Sequence, residues 1–177
     1  MLRAWILAAR PATLWAAVAP VLVAGALATN DGVFEWVRFV VAMLGAIAIQ
    51  IGVNFANDVA DAAKGADTEA RIGPTRAVAS GLITSRQMWA GIVSAFGVAA
   101  LCGIYLIAVA GWVIAVIGLA SIAAALGYTN GPNPYGYRGY GEAFVFVFFG
   151  LVATVGARYV FDRTAPLDAW LAGIVMG

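Results

Sequence analysis

The 177-residue chain is 63% hydrophobic and 11% charged, whereas a soluble domain is about 45–50% apolar and about 25% charged, so it reads as an integral membrane protein. A net charge of +1 offers no basic surface for nucleic acid, and the absence of histidine excludes histidine triads, histidine metal sites and histidine-ligated haem. The one cysteine, Cys102, lies in an apolar run, reads as a small buried hydrophobe and permits no intramolecular disulfide.

Met1 to Arg10, with Trp5, Ile6 and Leu7, predicts a short interfacial helix. The run Met1–Ala28 has the outline of a signal peptide, but Arg10-Pro11 interrupts it and further spans follow, so a retained first helix is expected. A span needs roughly 17–25 mostly apolar residues. Candidates run over Thr13–Ala28, Trp36–Ala60, Gln87–Ala108, Trp112–Tyr128 (after a tight Ala110-Gly111 turn) and Glu142–Phe161. A sixth apolar segment begins near Leu167 and reaches Gly177, too short to cross. The expected fold class is an all-α transmembrane bundle of about five spans plus the start of a sixth, in one integral membrane domain over residues 1–177.

Alternate polar segments divide the positive charges unequally. Arg3, Arg10, Lys64, Arg71, Arg76, Arg86 and Arg138 fall on one side, and Arg38, Arg158 and Arg163 on the other. Seven against three puts the N-terminus, the Asn54–Gly81 segment and the Asn130–Gly141 loop in the cytoplasm. Both polar loops then face one side and can share a site. Trp36, Trp89 and Trp112 read as interfacial belt residues, and the many Gly and Ala residues as close helix packing.

The segment NFANDVADAAKGADTEARIGPTRAVASG, Asn54 to Gly81, carries the chemistry. At about 100° per residue, Asn54, Asp58 and Asp61 stand at i, i+4 and i+7 on one helical stripe, and Asn57 meets Asp61 at i, i+4. Asp67, Arg71 and Arg76 follow in a short polar loop. Ionisable groups beside a membrane span point to function. Three readings of the constellation compete: a capped helix end with a solvated loop, an ion or proton path, and a magnesium–diphosphate site. The last accounts best for several oxygen donors on one face. Carboxylates and a diphosphate coexist only when divalent cations bridge them, and magnesium takes hard oxygen ligands. Metal candidates are Asn54, Asn57, Asp58, Asp61 and Asp67. Lys64, Arg71, Arg76 and Arg138 are the diphosphate-binding candidates, arginine being suited to bidentate phosphate contact. Gly65 and Gly73-Pro74 let the loop fold over the site.

In the second polar loop Tyr128, Asn130, Asn133 and Tyr135 stand with Arg138 and Glu142. A Gly/Pro-rich turn with interfacial aromatics competes there with a second lid over the substrates. Tyr128 is the preferred catalytic candidate beside Asp58 and Asp61, since an aromatic face and a hydroxyl suit both a carbocation and an acceptor ring. Arg10 is read first as an interfacial anchor and second as a diphosphate contact.

The segment NDVADAAKGADTEARIGPTRAVASG resembles the first aspartate-rich motif of the UbiA superfamily of intramembrane prenyltransferases, in the form its menaquinone branch carries. The matching residues are Asn57-Asp58, Asp61, Lys64-Gly65, Asp67-Thr68, Arg71, Gly73-Pro74, Arg76 and Ser80-Gly81. RPATL (Arg10–Leu14) and YTNGPNPYGYRGYGEAFVFVFFG (Tyr128–Gly150) are similar to that branch too. The general superfamily pattern places its last aspartate at position 65; Gly65 stands there and Asp67 follows, as in the menaquinone branch. The resemblance implies Mg2+-dependent transfer of a polyprenyl group from its diphosphate to 1,4-dihydroxy-2-naphthoate in the inner (plasma) membrane, with loss of carbon dioxide, giving demethylmenaquinone. Another aromatic acceptor such as 4-hydroxybenzoate, or a non-catalytic lipid-binding or assembly role, stands as the alternative. The superfamily has about nine transmembrane helices and a second aspartate-rich motif in its latter half. After Arg163 only Asp168 is found, so the chain is expected to correspond to the N-terminal part of such an enzyme and to be inactive by itself.

Overall fold

A computed structural model describes residues 1–63, 76–129 and 139–177. These form an all-α bundle: α1 (Leu2–Ala9), α2 (Pro11–Asn30), α3 (Trp36–Ala63), α4 (Ser85–Ala110), α5 (Val113–Thr129), α6 (Gly141–Asp162) and α7 (Leu167–Met176). Four of them, α2, α3, α4 and α6, are long and apolar enough to cross a membrane. The chain is a multi-pass membrane protein. The expected fourth span, α5, has 17 residues, at the short limit for crossing.

Arg10-Pro11 breaks the first apolar run for two reasons. Pro11 takes the first position of α2, where a missing N–H costs nothing. Arg10 turns the chain at φ 51, a left-handed conformation that strains a non-glycine residue. Glu35 opens α3 by accepting the backbone N–H groups of Val37 (3.0 Å) and Arg38 (2.7 Å). The Arg38 amide above all holds its carboxyl below the usual range. α4 starts two residues before its expected boundary because Thr84 and Gln87 form a capping box. The Gln87 N–H donates to the Thr84 hydroxyl, and the Thr84 N–H to the Gln87 side chain. Gly111, at φ 92, makes the tight α4–α5 turn that a side chain would oppose.

The antiparallel pair α3–α4 is the most extensive contact, and α2 packs between α3 and α6. Two apolar cores result. One lies at the motif end, where Phe55 and Ala56 meet Ala77, Ile83, Met88 and Ile92, with Ala4 and Ala8 of α1 above them. Trp5 of α1 stands edge-on to Phe55, ring centroids 5.4 Å apart. Its ring lies so close to Gly91 that a Cβ there would come within 2.7 Å. α1 is thus braced on the α3–α4 pair. The other core joins Val21, Ala42, Leu106, Ala110, Ile114 and Val160 at the opposite end. Within α6, Phe146–Val152 is wound as a π-helix. Trp36, Trp89 and Trp112 are exposed, with Trp89 near the motif end and the other two at the far end.

Candidate active site

The C-terminal half of α3 is buried although it is polar. Gln50, Asn54, Asn57, Asp58 and Asp61 are all enclosed, Asp58 at 1% exposure. Successive residues diverge by about 100° around the helix, which separates these groups into two neighbouring environments.

Gln50, Asn54 and Asn57 line a cavity of about 790 Å3 between α2, α3, α4, α5 and α6. Thr13 of α2 and Ser121 and Tyr128 of α5 add polar groups to its wall. The rest is apolar, from Ala42, Gly45 and Ala46 on α3 to Leu106, Ile114 and Val160 at the far end. Both Ala42 and Asn57 belong to the wall, so the cavity follows α3 for about 22 Å at about 1.5 Å per residue. Phe144 and Phe148 stack at 5.9 Å, nearly parallel, and both face it. The π-helical stretch contributes Phe148, Phe149 and Val152 to the same wall; such stretches often occur at functional sites. A volume in the ordinary ligand range of roughly 300–1,000 Å3, apolar along its length and polar at one end, suits a molecule with a long hydrocarbon tail and a polar head.

The second environment holds the charges. Asp61 and Arg76 form a buried ion pair. Asp58 accepts the backbone N–H of Ala77 through Oδ2 (3.0 Å) and that of Val78 through Oδ1 (2.9 Å). The turn so held closes on itself: Ser80 N–H and Oγ donate to the Arg76 carbonyl at 3.1 and 2.7 Å, and Ile83 N–H donates to Ala77 at 3.1 Å. Asn54 ties the site to the chain break before α2. Its Nδ2 donates to the Ala9 carbonyl (2.8 Å) and to the Thr13 hydroxyl (2.9 Å).

Of the residues expected from the sequence, Asn54, Asn57 and Tyr128 therefore meet on the cavity wall, and Asp58, Asp61 and Arg76 gather beside it. Lys64, Asp67, Arg71, Arg138, Asn130, Asn133 and Tyr135 lie outside the described residues. Three polar wall residues, Gln50, Thr13 and Ser121, were not singled out. Gln50, one turn before Asn54 in an apolar run, could have been found as a polar residue inside a span. Thr13 lies in RPATL, whose likeness was noted without assigning it a contact.

Among the described residues no group of three acidic, cysteine or histidine side chains could enclose a metal ion. The donor set still has the right chemistry for a partial site. Asn57 and Asp61 offer hard oxygens one helical turn apart, where magnesium keeps several waters and shares substrate phosphates.

A long apolar cavity ending at buried amides, with a buried carboxylate–arginine pair beside it, suits an amphiphilic ligand. The chain belongs to the UbiA prenyltransferase family, whose sequence profile matches residues 17–177. It is 43% identical over 156 residues to the 1,4-dihydroxy-2-naphthoate octaprenyltransferase of Mycobacterium tuberculosis, covering 88% of this chain and 53% of that protein. It is 39% identical over 168 residues to the Escherichia coli protein of the same name, covering 92% and 54%. It is 30% identical over 158 residues to the 2-carboxy-1,4-naphthoquinone phytyltransferase of Synechocystis, covering 88% and 50%. The chain thus spans about half the length of the curated relatives it matches.

Proposed function

We propose that the protein transfers a polyprenyl group from polyprenyl diphosphate to 1,4-dihydroxy-2-naphthoate. The observation that carries this reading is the tail-shaped cavity whose polar end, at Asn54, Asn57 and Tyr128, adjoins the Asp61–Arg76 pair. The names of the relatives supply the acceptor.

Asn57 and Asp61, with Asp67 from outside the described residues, would hold Mg2+ together with the diphosphate. Bound magnesium supplies positive charge to the departing diphosphate. Arg76 adds a guanidinium for a phosphate oxygen, in concert with Lys64, Arg71 and Arg138. The allylic C–O bond breaks and its electron pair leaves with diphosphate. The apolar wall keeps water from the resulting cation, and the faces of Phe148 and Tyr128 stabilise it. The ring carbon bearing the carboxylate forms the new C–C bond, carbon dioxide leaves, and the product is demethylmenaquinol. The membrane is the inner membrane, with the motif loop cytoplasmic.

The test supplies purified intact protein with Mg2+, a polyprenyl diphosphate and either 1,4-dihydroxy-2-naphthoate or 4-hydroxybenzoate, and identifies products by mass after air oxidation. Demethylmenaquinone from the naphthoate, dependent on Mg2+, is expected. Product from 4-hydroxybenzoate alone would overturn the acceptor, and none from either would overturn prenyl transfer.

A further inference from the structure

Asp58 sits in the middle of the acidic motif, yet its geometry differs from that of both its neighbours. Asn57 faces the cavity and Asp61 faces Arg76. Asp58 does neither. It is 1% exposed, and its two oxygens accept two consecutive backbone N–H groups, those of Ala77 and Val78. Such amides at the start of a turn have few other partners, and a carboxylate is their strongest acceptor. Ala77 itself is fully buried, so the turn is seated in the protein at this point. Arg76 immediately precedes the two captured amides. Where the turn docks decides where its guanidinium lies, and it lies on Asp61.

We propose that Asp58 is a positioning residue rather than a metal ligand: its carboxylate clamps the Ala77–Val78 amides to α3 and thereby sets Arg76 against Asp61 and the diphosphate. This rests on the functional reading above for the role of Arg76, though the clamp itself does not. At 1% exposure, off the cavity wall and with an amide on each oxygen, Asp58 has no open face for a metal unless the Ala77–Val78 turn moves away from it. Placed this way, the motif divides its labour along one helical turn: Asn57 and Asp61 toward metal and substrate, Asp58 toward the loop that delivers a cation.

The experiment uses the intact protein in detergent, and its first arm needs no substitution. Hydrogen exchange of the peptide spanning residues 76–83 is followed with and without Mg2+. Exchange that is unchanged or slowed by Mg2+ is expected; exchange accelerated by Mg2+ would mean that the carboxylate leaves the amides for the metal, and would overturn the proposal. The second arm compares Asp58→Asn with Asp61→Asn. Asp58→Asn keeps the shape but presents only one acceptor oxygen. It should raise the KM for polyprenyl diphosphate at least about tenfold and speed exchange at 76–83, while the Mg2+ half-saturation moves less than about twofold. Asp61→Asn should shift the Mg2+ half-saturation by about tenfold or more. An Asp58→Asn enzyme with the Mg2+ shift of Asp61→Asn and native exchange at 76–83 would also overturn it. The exchange arm requires no prenyl substrate, so a failure of the functional reading leaves it decisive.

Discussion

Three consecutive polar positions on α3 have three different fates. Asn57 opens onto the cavity, Asp58 holds a turn, and Asp61, one turn on, is neutralised by Arg76. The stripe itself follows from helical spacing and was legible in the sequence. The fate of each member was not, because Arg76 to Val78 meet the helix after twelve intervening residues of chain, and no local pattern states which carboxylate they meet. Asp61 is the residue on which prenyl transfer should depend most. Asp61→Asn removes the charge that balances Arg76 and an oxygen proposed to hold the metal. We expect kcat/KM to fall by about 100-fold or more, comparable to removing one preorganised electrostatic group, while the yield of protein extracted from membranes stays near normal. Product formation and extracted yield, measured side by side, check this. Turnover close to that of the parent would refute the role of Asp61.

At the scale of helices, the far end of the bundle is stitched by arginines that meet no cavity. Arg158 on α6, 2% exposed, reaches Asp31 at the end of α2 (2.6 Å) and Asp162 one turn on (2.8 Å). Arg38 donates to the carbonyls of Val160 and Phe161 at the end of α6. Arg163 donates to Val109 near the end of α4 (2.8 Å). Arg38 and Arg163 satisfy carbonyls that a helix C-terminus leaves over, where a cation is favoured by the dipole, while Arg158 pairs with two carboxylates. All three belong to the minority charge set, so its members are structural. Arg158→Met should strand Asp31 and Asp162, which are about a quarter exposed, and cost about 2–3 kcal/mol, below the value for a fully buried pair. Thermal unfolding in detergent should show the loss, with KM for polyprenyl diphosphate unchanged; an unaltered Tm would mean that the network is not holding α2 to α6. The helices themselves were legible from apolar run length, each within about three residues of its boundary. The Thr84–Gln87 box, readable as T-x-x-Q, was passed over and explains the earlier start of α4. The π-helical stretch of α6 leaves no trace in a continuous apolar run, because one extra residue per turn changes no hydrophobicity.

Considered as a whole, the molecule has two chemically distinct ends. Ala9, Asn54, Asp58, Asp61, Arg76 and Tyr128 gather at one; Asp31, Arg38, Arg158, Asp162 and Arg163 gather at the other. The cavity joining them draws its wall from five helices, so its volume could not be read from any one segment, although the polar end was legible residue by residue. Of the positive charges among the described residues, Arg3, Arg10, Arg76 and Arg86 lie at the motif end and Arg38, Arg158 and Arg163 at the far end, where they are held by carboxylates and carbonyls within the fold. Positive charge resists translocation, so the motif end should be cytoplasmic and the far end exposed to the opposite side. Cysteines placed singly at Asn30 and Ala165, both exposed at the far end, and at Ser85, exposed beside the motif turn, report this once Cys102 is replaced by serine or alanine. A membrane-impermeant maleimide added to intact cells should label Asn30→Cys and Ala165→Cys, and should label Ser85→Cys only after the membrane is opened. Labelling of Ser85→Cys in intact cells, with the other two protected, would invert the molecule. It would also place the proposed diphosphate site on the side away from the cytoplasm.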